Sequence, residues 1–195
     1  SLSRHEGRLR VATTVGPGWW GFTPAARQGG VSVAPAPQRS ESFVTVLERD
    51  AGELRTIGEV GGLGPNEDIY STRFVGDLAY VVTFRRVDPL YVVDLRDPTA
   101  PTVAGELKIT GYSSYLQLVD EGRLLGVGQD GTDAGRLTGF AESLFDVSDP
   151  ATPTRLAQFT MADATSLAEQ DHHALLWWDA TDTLVVPIES WRWDR

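Results

Sequence analysis

The sequence predicts an all-β chain built from repeated four-stranded antiparallel units, and three observations support this. First, the stretches Asp94–Thr102 and Asp146–Thr154 are near copies of each other, 52 positions apart (146 − 94 = 52). Second, apolar runs rich in β-branched and aromatic residues recur along the chain, separated by Gly, Asp and Pro. Third, convincing helical periodicity is scarce. Four strands repeated at roughly 40–50 residues are typical of the blades of a β-propeller.

The turns between the strands define the units. Gly76-Asp77 between two β-rich runs predicts a tight hairpin, and Asp97-Pro98 and Asp149-Pro150 each predict a turn, because Pro biases the residue before it away from the helix. A sandwich or barrel has no reason to repeat the Asp-Pro turn at the same point of successive units. The predicted bounds, within one domain at 1–195, are a partial blade at 6–60 with an insertion at 16–39, blades at 69–109 and 114–161, and a partial blade at 172–188.

The two ends of the chain are out of phase with whole blades in this interpretation. The first unit is expected to begin at its second strand, residues 8–14, and the last to stop at a second strand, 183–188. This gives about 13 strands in all. Pairing these two strands would close a ring but would put five strands into one blade. We therefore predict an incomplete ring of about three to four blades, whose open edges need the remainder of a propeller or a second chain.

Composition and charge exclude several classes of function. The 195 residues include 17 basic and 27 acidic side chains, and the net charge of −10 disfavours nucleic acid as a partner. The sequence lacks an apolar run long enough to predict a membrane span. Cysteine is absent, which excludes disulfides, thiolate metal sites and thiol catalysis.

Several short sequence motifs resemble those of a family of secreted bacterial proteins with a C-terminal β-propeller distantly related to WD-repeat propellers. They are Ile69–Asp77, Tyr80–Phe84, Gly105–Ile109, Gly126–Asp130, Ser143–Pro150 and Asp171–Ala174, and Tyr91–Leu95 is similar to an LVIVD-type repeat. The likeness runs over residues 2–188. It implies that the chain is an internal segment of a longer protein with an extracellular or cell-surface location. It implies no particular reaction.

Four aspartates, Asp94, Asp97, Asp146 and Asp149, form two candidate carboxylate pairs. Acid–base catalysis needs a unique environment that separates two pKa values, whereas a structural turn is needed in every blade. Because the pairs repeat, we interpret these four residues as structural turns that hydrogen-bond backbone and neighbouring blades.

Two stretches carry residue types that bind metal ions. Asp171-His172-His173 offers the carboxylate and imidazole groups suited to zinc or copper. Adjacent residues of a regular strand point to opposite faces, so a strand would not let the two imidazoles chelate one ion. The preferred interpretation is a turn at the entry to a blade, with one His hydrogen-bonded to a neighbouring blade. Gln129–Gly135 is an acidic, Gly-rich loop of the kind that calcium favours, without the full spacing of a calcium loop. We predict no metal and no cofactor. If an ion is held, we expect calcium or zinc at Asp130, Asp133, Asp171 or His172.

The predicted function is that of a non-catalytic extracellular or cell-surface scaffold that binds a protein, peptide or glycan through its loops. The pair Trp19-Trp20 lies inside the insertion, where it is expected either to stack on a sugar or peptide or to fill the gap between blades. The candidate ligand-binding residues are Trp19, Trp20, His172 and His173. The alternative is a metal-dependent enzyme that uses His172, His173 and loop carboxylates near the propeller channel. Convergence of these groups in one pocket would favour the enzyme.

Overall fold

A computed structural model describes residues 1–16, 40–84 and 88–191, and these residues form three four-stranded antiparallel sheets followed by two strand pairs. Blade 1 contains β1 (Leu2–His5), β2 (Arg8–Val15), β3 (Glu41–Asp50) and β4 (Glu53–Leu63). Blade 2 contains β5 (Asp68–Val75), β6 (Leu78–Phe84), β7 (Asp88–Asp94) and β8 (Thr102–Ile109). Blade 3 contains β9 (Tyr112–Asp120), β10 (Arg123–Gly131), β11 (Leu137–Asp146) and β12 (Thr154–Ala162).

A fourth unit follows blade 3 and is built from short elements. It contains β13 (Ala164–Ser166), β14 (Leu176–Trp178), β15 (Thr183–Val185) and β16 (Ile188–Ser190), with 3₁₀ helices at Leu167–Glu169, His172–Ala174 and Asp179–Thr181. β14 pairs with β15, and β13 pairs with β16. None of the helices in the described ranges has the length and apolarity needed to cross a bilayer.

The predicted all-β architecture, an incomplete propeller of four-stranded antiparallel blades, is confirmed. Each blade is a simple meander in which the sequence order of the strands is also their order in the sheet. The described residues do not close a ring: β2 pairs with β1 and β3, and β15 pairs with β14.

The prediction that the first unit lacks its first strand is wrong. β1 pairs antiparallel with β2, from Leu2 opposite Val11 to His5 opposite Arg8. The two strands are joined at Glu6-Gly7, where both residues have positive φ (46° and 79°), as a tight primed hairpin turn requires. The count of 13 strands is therefore also wrong, because the described residues alone contain 16. A four-residue, mostly polar strand carries too little hydrophobic pattern to be recognised from sequence.

A bulge recurs at the same point of all three blades. Between the third and fourth strands the register shifts at Ile57 in blade 1, Ala104 in blade 2 and Leu156 in blade 3, each of which is an extra, unpaired residue. The shared bulge shows that the three blades are repeats in their backbone as well as in their sequence.

Buried side chains form a core at each of the two joints between blades. The first joint packs Ala12, Val44, Val46 and Leu63 of blade 1 against Ala79, Val81, Tyr91, Val93 and Leu95. The second packs Tyr80, Val82, Leu90, Val92 and Ile109 of blade 2 against Leu116, Leu124, Phe145 and Val147. A smaller cluster of Val127, Phe140, Ala164 and Ala168 joins blade 3 to the fourth unit. Each blade therefore uses one face of its sheet to hold the next blade.

Each joint also contains a glycine in the fourth strand against which the Asp-Pro turn of the next blade rests. A Cβ added at Gly58 would lie 2.3 Å from the carbonyl oxygen of Pro98, and one added at Gly105 would lie 2.3 Å from that of Pro150. The position equivalent to Gly105 in blade 3 is Ala157 (105 + 52 = 157), which is exposed. The joint glycines are thus required by the close approach of two backbones, not by a turn.

Candidate functional site

Three aromatic rings meet where the first strands of blades 2 and 3 lie side by side. Tyr70 of β5 and Phe84 at the end of β6 pack edge to face, with ring centroids 5.3 Å apart. Tyr112 of β9 completes the cluster, 4.9 Å from Tyr70 and 5.0 Å from Phe84. Tyr70 remains 47% exposed, so the cluster presents an aromatic face to solvent.

A β-bulge places Tyr70 in this cluster. Ile69 pairs with Thr83 and Ser71 pairs with Val82, which leaves Tyr70 as the extra residue of β5. The same shift occurs in blade 3, where the extra residue is Ser114. Bulges re-aim one side chain relative to the regular alternation of a strand, and here the re-aimed side chain is an exposed tyrosine.

A carboxylate held by three donors lies beside the aromatic cluster. Glu169 accepts hydrogen bonds from the Tyr112 hydroxyl at 3.2 Å and the Gln129 side-chain amide at 2.9 Å. Its other oxygen accepts from the backbone N–H of Ser166 at 2.8 Å, and Ser166 in turn caps the 3₁₀ helix Leu167–Glu169 in a capping box. The carboxylate is therefore fixed in position before any ligand arrives.

The Asp171-His172-His173 stretch is a turn and not a strand, so the alternation of strand side chains does not apply to its two imidazoles. His172 and His173 open a 3₁₀ helix, and the backbone N–H of His173 donates to the Asp171 side chain at 2.9 Å. The two imidazole centroids lie 4.0 Å apart, and His172 stacks loosely on Tyr115 at 6.3 Å. All three residues of the stretch are exposed.

The four repeated aspartates sit in turns. Asp94 and Asp146 each accept the backbone N–H two residues ahead, from Arg96 at 2.9 Å and from Ser148 at 3.0 Å. Asp97 and Asp149 do the same with Thr99 and Ala151, at 2.9 and 3.0 Å. Hydrogen bonds lower the pKa of all four carboxyl groups. The main cause is the Arg96 side chain for Asp94 and the Thr99 hydroxyl for Asp97. It is the Ser148 hydroxyl for Asp146 and the Ala151 backbone N–H for Asp149. All four are thus held ionised as acceptors in turns.

The remaining candidates do not join the histidines. Asp130 lies in β10 and accepts from the Thr138 hydroxyl and the Gln158 amide, both at 3.2 Å. Asp133 is exposed in the loop that follows. Within the described ranges, the cluster suited to a metal ion contains Asp171, His172 and His173, without these two loop carboxylates. Trp19 and Trp20 fall outside the described residues.

Sequence reasoning missed Tyr70, Tyr112 and Glu169. The sequence does contain one pattern that could have indicated the position of Glu169, because Ser166 and Glu169 have the Ser-x-x-Glu spacing of a capping box. The two tyrosines come together only through a bulge and a contact between blades, and neither leaves a local pattern in the sequence.

Comparison with known proteins gives the family of this chain. The chain matches the beta propeller domain over residues 1–195. It belongs to that family. This propeller segment is 37% identical over 177 residues to an uncharacterized protein of Methanocaldococcus jannaschii, covering 91% of the chain and 25% of the relative. It is 36% identical over 176 residues to an uncharacterized protein of Archaeoglobus fulgidus, covering 90% of the chain and 23% of the relative.

The propeller segment thus spans about a quarter of the length of these curated relatives. The resemblance to a propeller family drawn from the sequence is confirmed. Both relatives are archaeal, so these matches do not support the bacterial origin that the resemblance implied.

Proposed function

We propose that this propeller segment is a non-catalytic scaffold that binds a protein, peptide or glycan at one surface beside the first strands of blades 2 and 3. We call it the inner-edge surface, and it is formed by Tyr70, Phe84, Tyr112, Gln129 and Glu169. The observation that carries the proposal is the three-ring cluster with Tyr70 at its exposed side. Aromatic residues supply large contact area at a low entropy cost and are over-represented at the energetic centres of binding surfaces.

The chemistry of the inner-edge surface suits a ligand with both apolar and hydroxyl or amide groups. Tyr70 offers a ring face, and Glu169 offers a carboxylate whose position is fixed by Tyr112 and Gln129. Sugar rings and peptide backbones both present donors beside apolar surface. Rigid blades keep these groups in place without the ligand, which lowers the entropy cost of binding.

The alternative, a metal-dependent enzyme, needs His172, His173 and the loop carboxylates in one pocket. Asp130 instead bonds Thr138 and Gln158. The geometry therefore favours the scaffold. The extracellular or cell-surface location stays a prediction from the family resemblance.

A binding screen of the chain against glycan and peptide panels tests the proposal. We expect saturable binding to members of one panel, which identifies the ligand class, and a fall in affinity of about tenfold for Tyr70→Ala, equal to about 1.4 kcal/mol. Phe159→Ala is the matched control, because Phe159 is 50% exposed, close to the 47% of Tyr70, but lies on the outer strand β12. Equal losses in both variants, or binding to neither panel, would contradict the proposal.

A further inference from the structure

We propose that the turn formed by Asp171, His172 and His173 is a binding site for a divalent transition-metal ion, zinc in the first instance. This goes beyond the scaffold function and does not depend on it. One potential ligand atom from each of the three side chains lies within 4.8 Å of the other two. Imidazole and carboxylate groups are preferred ligands of zinc.

The 3₁₀ backbone brings the two imidazoles to one side of the chain. A 3₁₀ helix has 3.0 residues per turn, so successive side chains are about 120° apart around the axis, against about 180° in a strand. The centroids of the His172 and His173 rings are 4.0 Å apart, with an angle of 35° between the ring planes. Adjacent histidines can therefore reach a common ion at this turn.

Asp171 fixes which nitrogen of His173 is available to an ion. The Asp171 Oδ1 atom lies 2.9 Å from Nδ1 of His173. An ionised carboxylate only accepts, so Nδ1 carries the hydrogen and Nε2 keeps its lone pair. This carboxylate–imidazole arrangement is the usual outer-shell support of a metal-bound histidine.

Side-chain rotation is needed to bring the two imidazoles to one zinc ion. The ring centroids of His172 and His173 are 4.0 Å apart, and two nitrogens bound tetrahedrally to zinc at about 2.05 Å are about 3.3 Å apart. The side chains of His173 and Asp171 are 80% and 52% exposed, so rotation of the side chains supplies this movement without a backbone shift. Water completes the coordination in this assignment, with His172 and His173 as direct ligands and Asp171 as the positioning residue.

Calorimetric titration of the tag-free chain with zinc at pH 7.5 tests the site. We expect one equivalent bound and a loss of affinity of about tenfold or more in each of His172→Ala and His173→Ala. Asp171→Asn should lose about 10–100-fold, because it removes the outer-shell acceptor.

His5→Ala is the matched control, because His5 also faces a carboxylate, Asp77, at 3.1 Å but lies in blade 1, away from the turn. It should bind zinc as the parent chain does, and circular dichroism should show the same strand content in all variants. No saturable binding at 1 mM zinc would overturn the site, as would affinity unchanged in both histidine variants at the turn. Loss in only one of these two variants would overturn the two-imidazole assignment.

Discussion

Gly105→Ala tests whether the Asp-Pro turn of one blade is seated against the fourth strand of the blade before it. The added Cβ would lie 2.3 Å from the carbonyl oxygen of Pro150 and 2.9 Å from Cδ of Pro153. Comfortable contacts between carbon atoms are about 3.5–4.0 Å. The obstructing atoms are backbone and a proline ring, which cannot rotate away, so the turn must move by about 1 Å.

The expected cost follows from two opposing effects. Overpacking of a well-packed joint costs about 1–3 kcal/mol. Replacing Gly by Ala inside a strand on its own stabilises by about 0.5–1 kcal/mol. The net result should be destabilisation by about 1–2 kcal/mol, or a Tm lower by about 2–8 °C for a chain of this length.

Urea unfolding followed by tryptophan fluorescence measures the effect, with Ala157→Gly as the reverse control. Ala157 occupies the same position of blade 3, opposite Leu144, as Gly105 does opposite Val92. Ala157 is exposed, so its replacement by Gly should cost only the lower strand propensity of Gly, about 0.5–1 kcal/mol. A Gly105→Ala chain as stable as the parent, or more stable, would refute the seated turn.

Three further predictions concern single side chains. Tyr91→Phe should destabilise by about 1–3 kcal/mol in urea unfolding, because the Tyr91 hydroxyl accepts from the buried N–H of Gly64 at 3.2 Å; an unchanged midpoint would contradict this. Ser71→Ala should lower the free energy of unfolding by about 1–2 kcal/mol in the same assay, because the Ser71 hydroxyl donates to the Ser113 carbonyl at 2.6 Å across the second joint. A variant as stable as the parent chain would contradict this. Burial raises the pKa of Glu142, so the folded state disfavours the ionised carboxylate. The resulting loss of folding stability is absent below the pKa of Glu142 in the unfolded chain and complete above its pKa in the folded chain. Glu142→Gln should therefore raise the free energy of unfolding at pH 8 and leave it unchanged near pH 4, and equal gains at both pH values would exclude this cause.

The blades could be predicted from sequence because their turns are chemically distinctive. Asp97-Pro98 and Asp149-Pro150 specify the same turn twice, and their separation of 52 residues fixes where four strands must fit. β1 was missed because its four residues, Leu2–His5, bury little surface and rely on pairing with β2 for their conformation.

The site was less predictable because it depends on contacts between units. The sequence indicates a turn at His172 and His173, before the apolar run that follows them, but it does not show that the cap supplied by Asp171 folds this turn as a 3₁₀ helix. Tyr70 reaches Tyr112 only through a bulge and the packing of β5 beside β9. Interactions of this kind are set by tertiary structure, and a single sequence records them only weakly.

The central claim, an open array of blades held by the same joint twice, is tested most directly by proton–proton Overhauser measurements on the isotopically labelled chain. We expect cross-peaks from the Hα protons of Gly58 to Hδ of Pro101, and from those of Gly105 to Hδ of Pro153. A Cβ added at Gly58 would lie 2.8 Å from Cδ of Pro101, and one added at Gly105 would lie 2.9 Å from Cδ of Pro153, so one Hα of each glycine points at a proline ring. Absence of both sets of cross-peaks, or cross-strand peaks between residues 8–15 and 183–185, would contradict it.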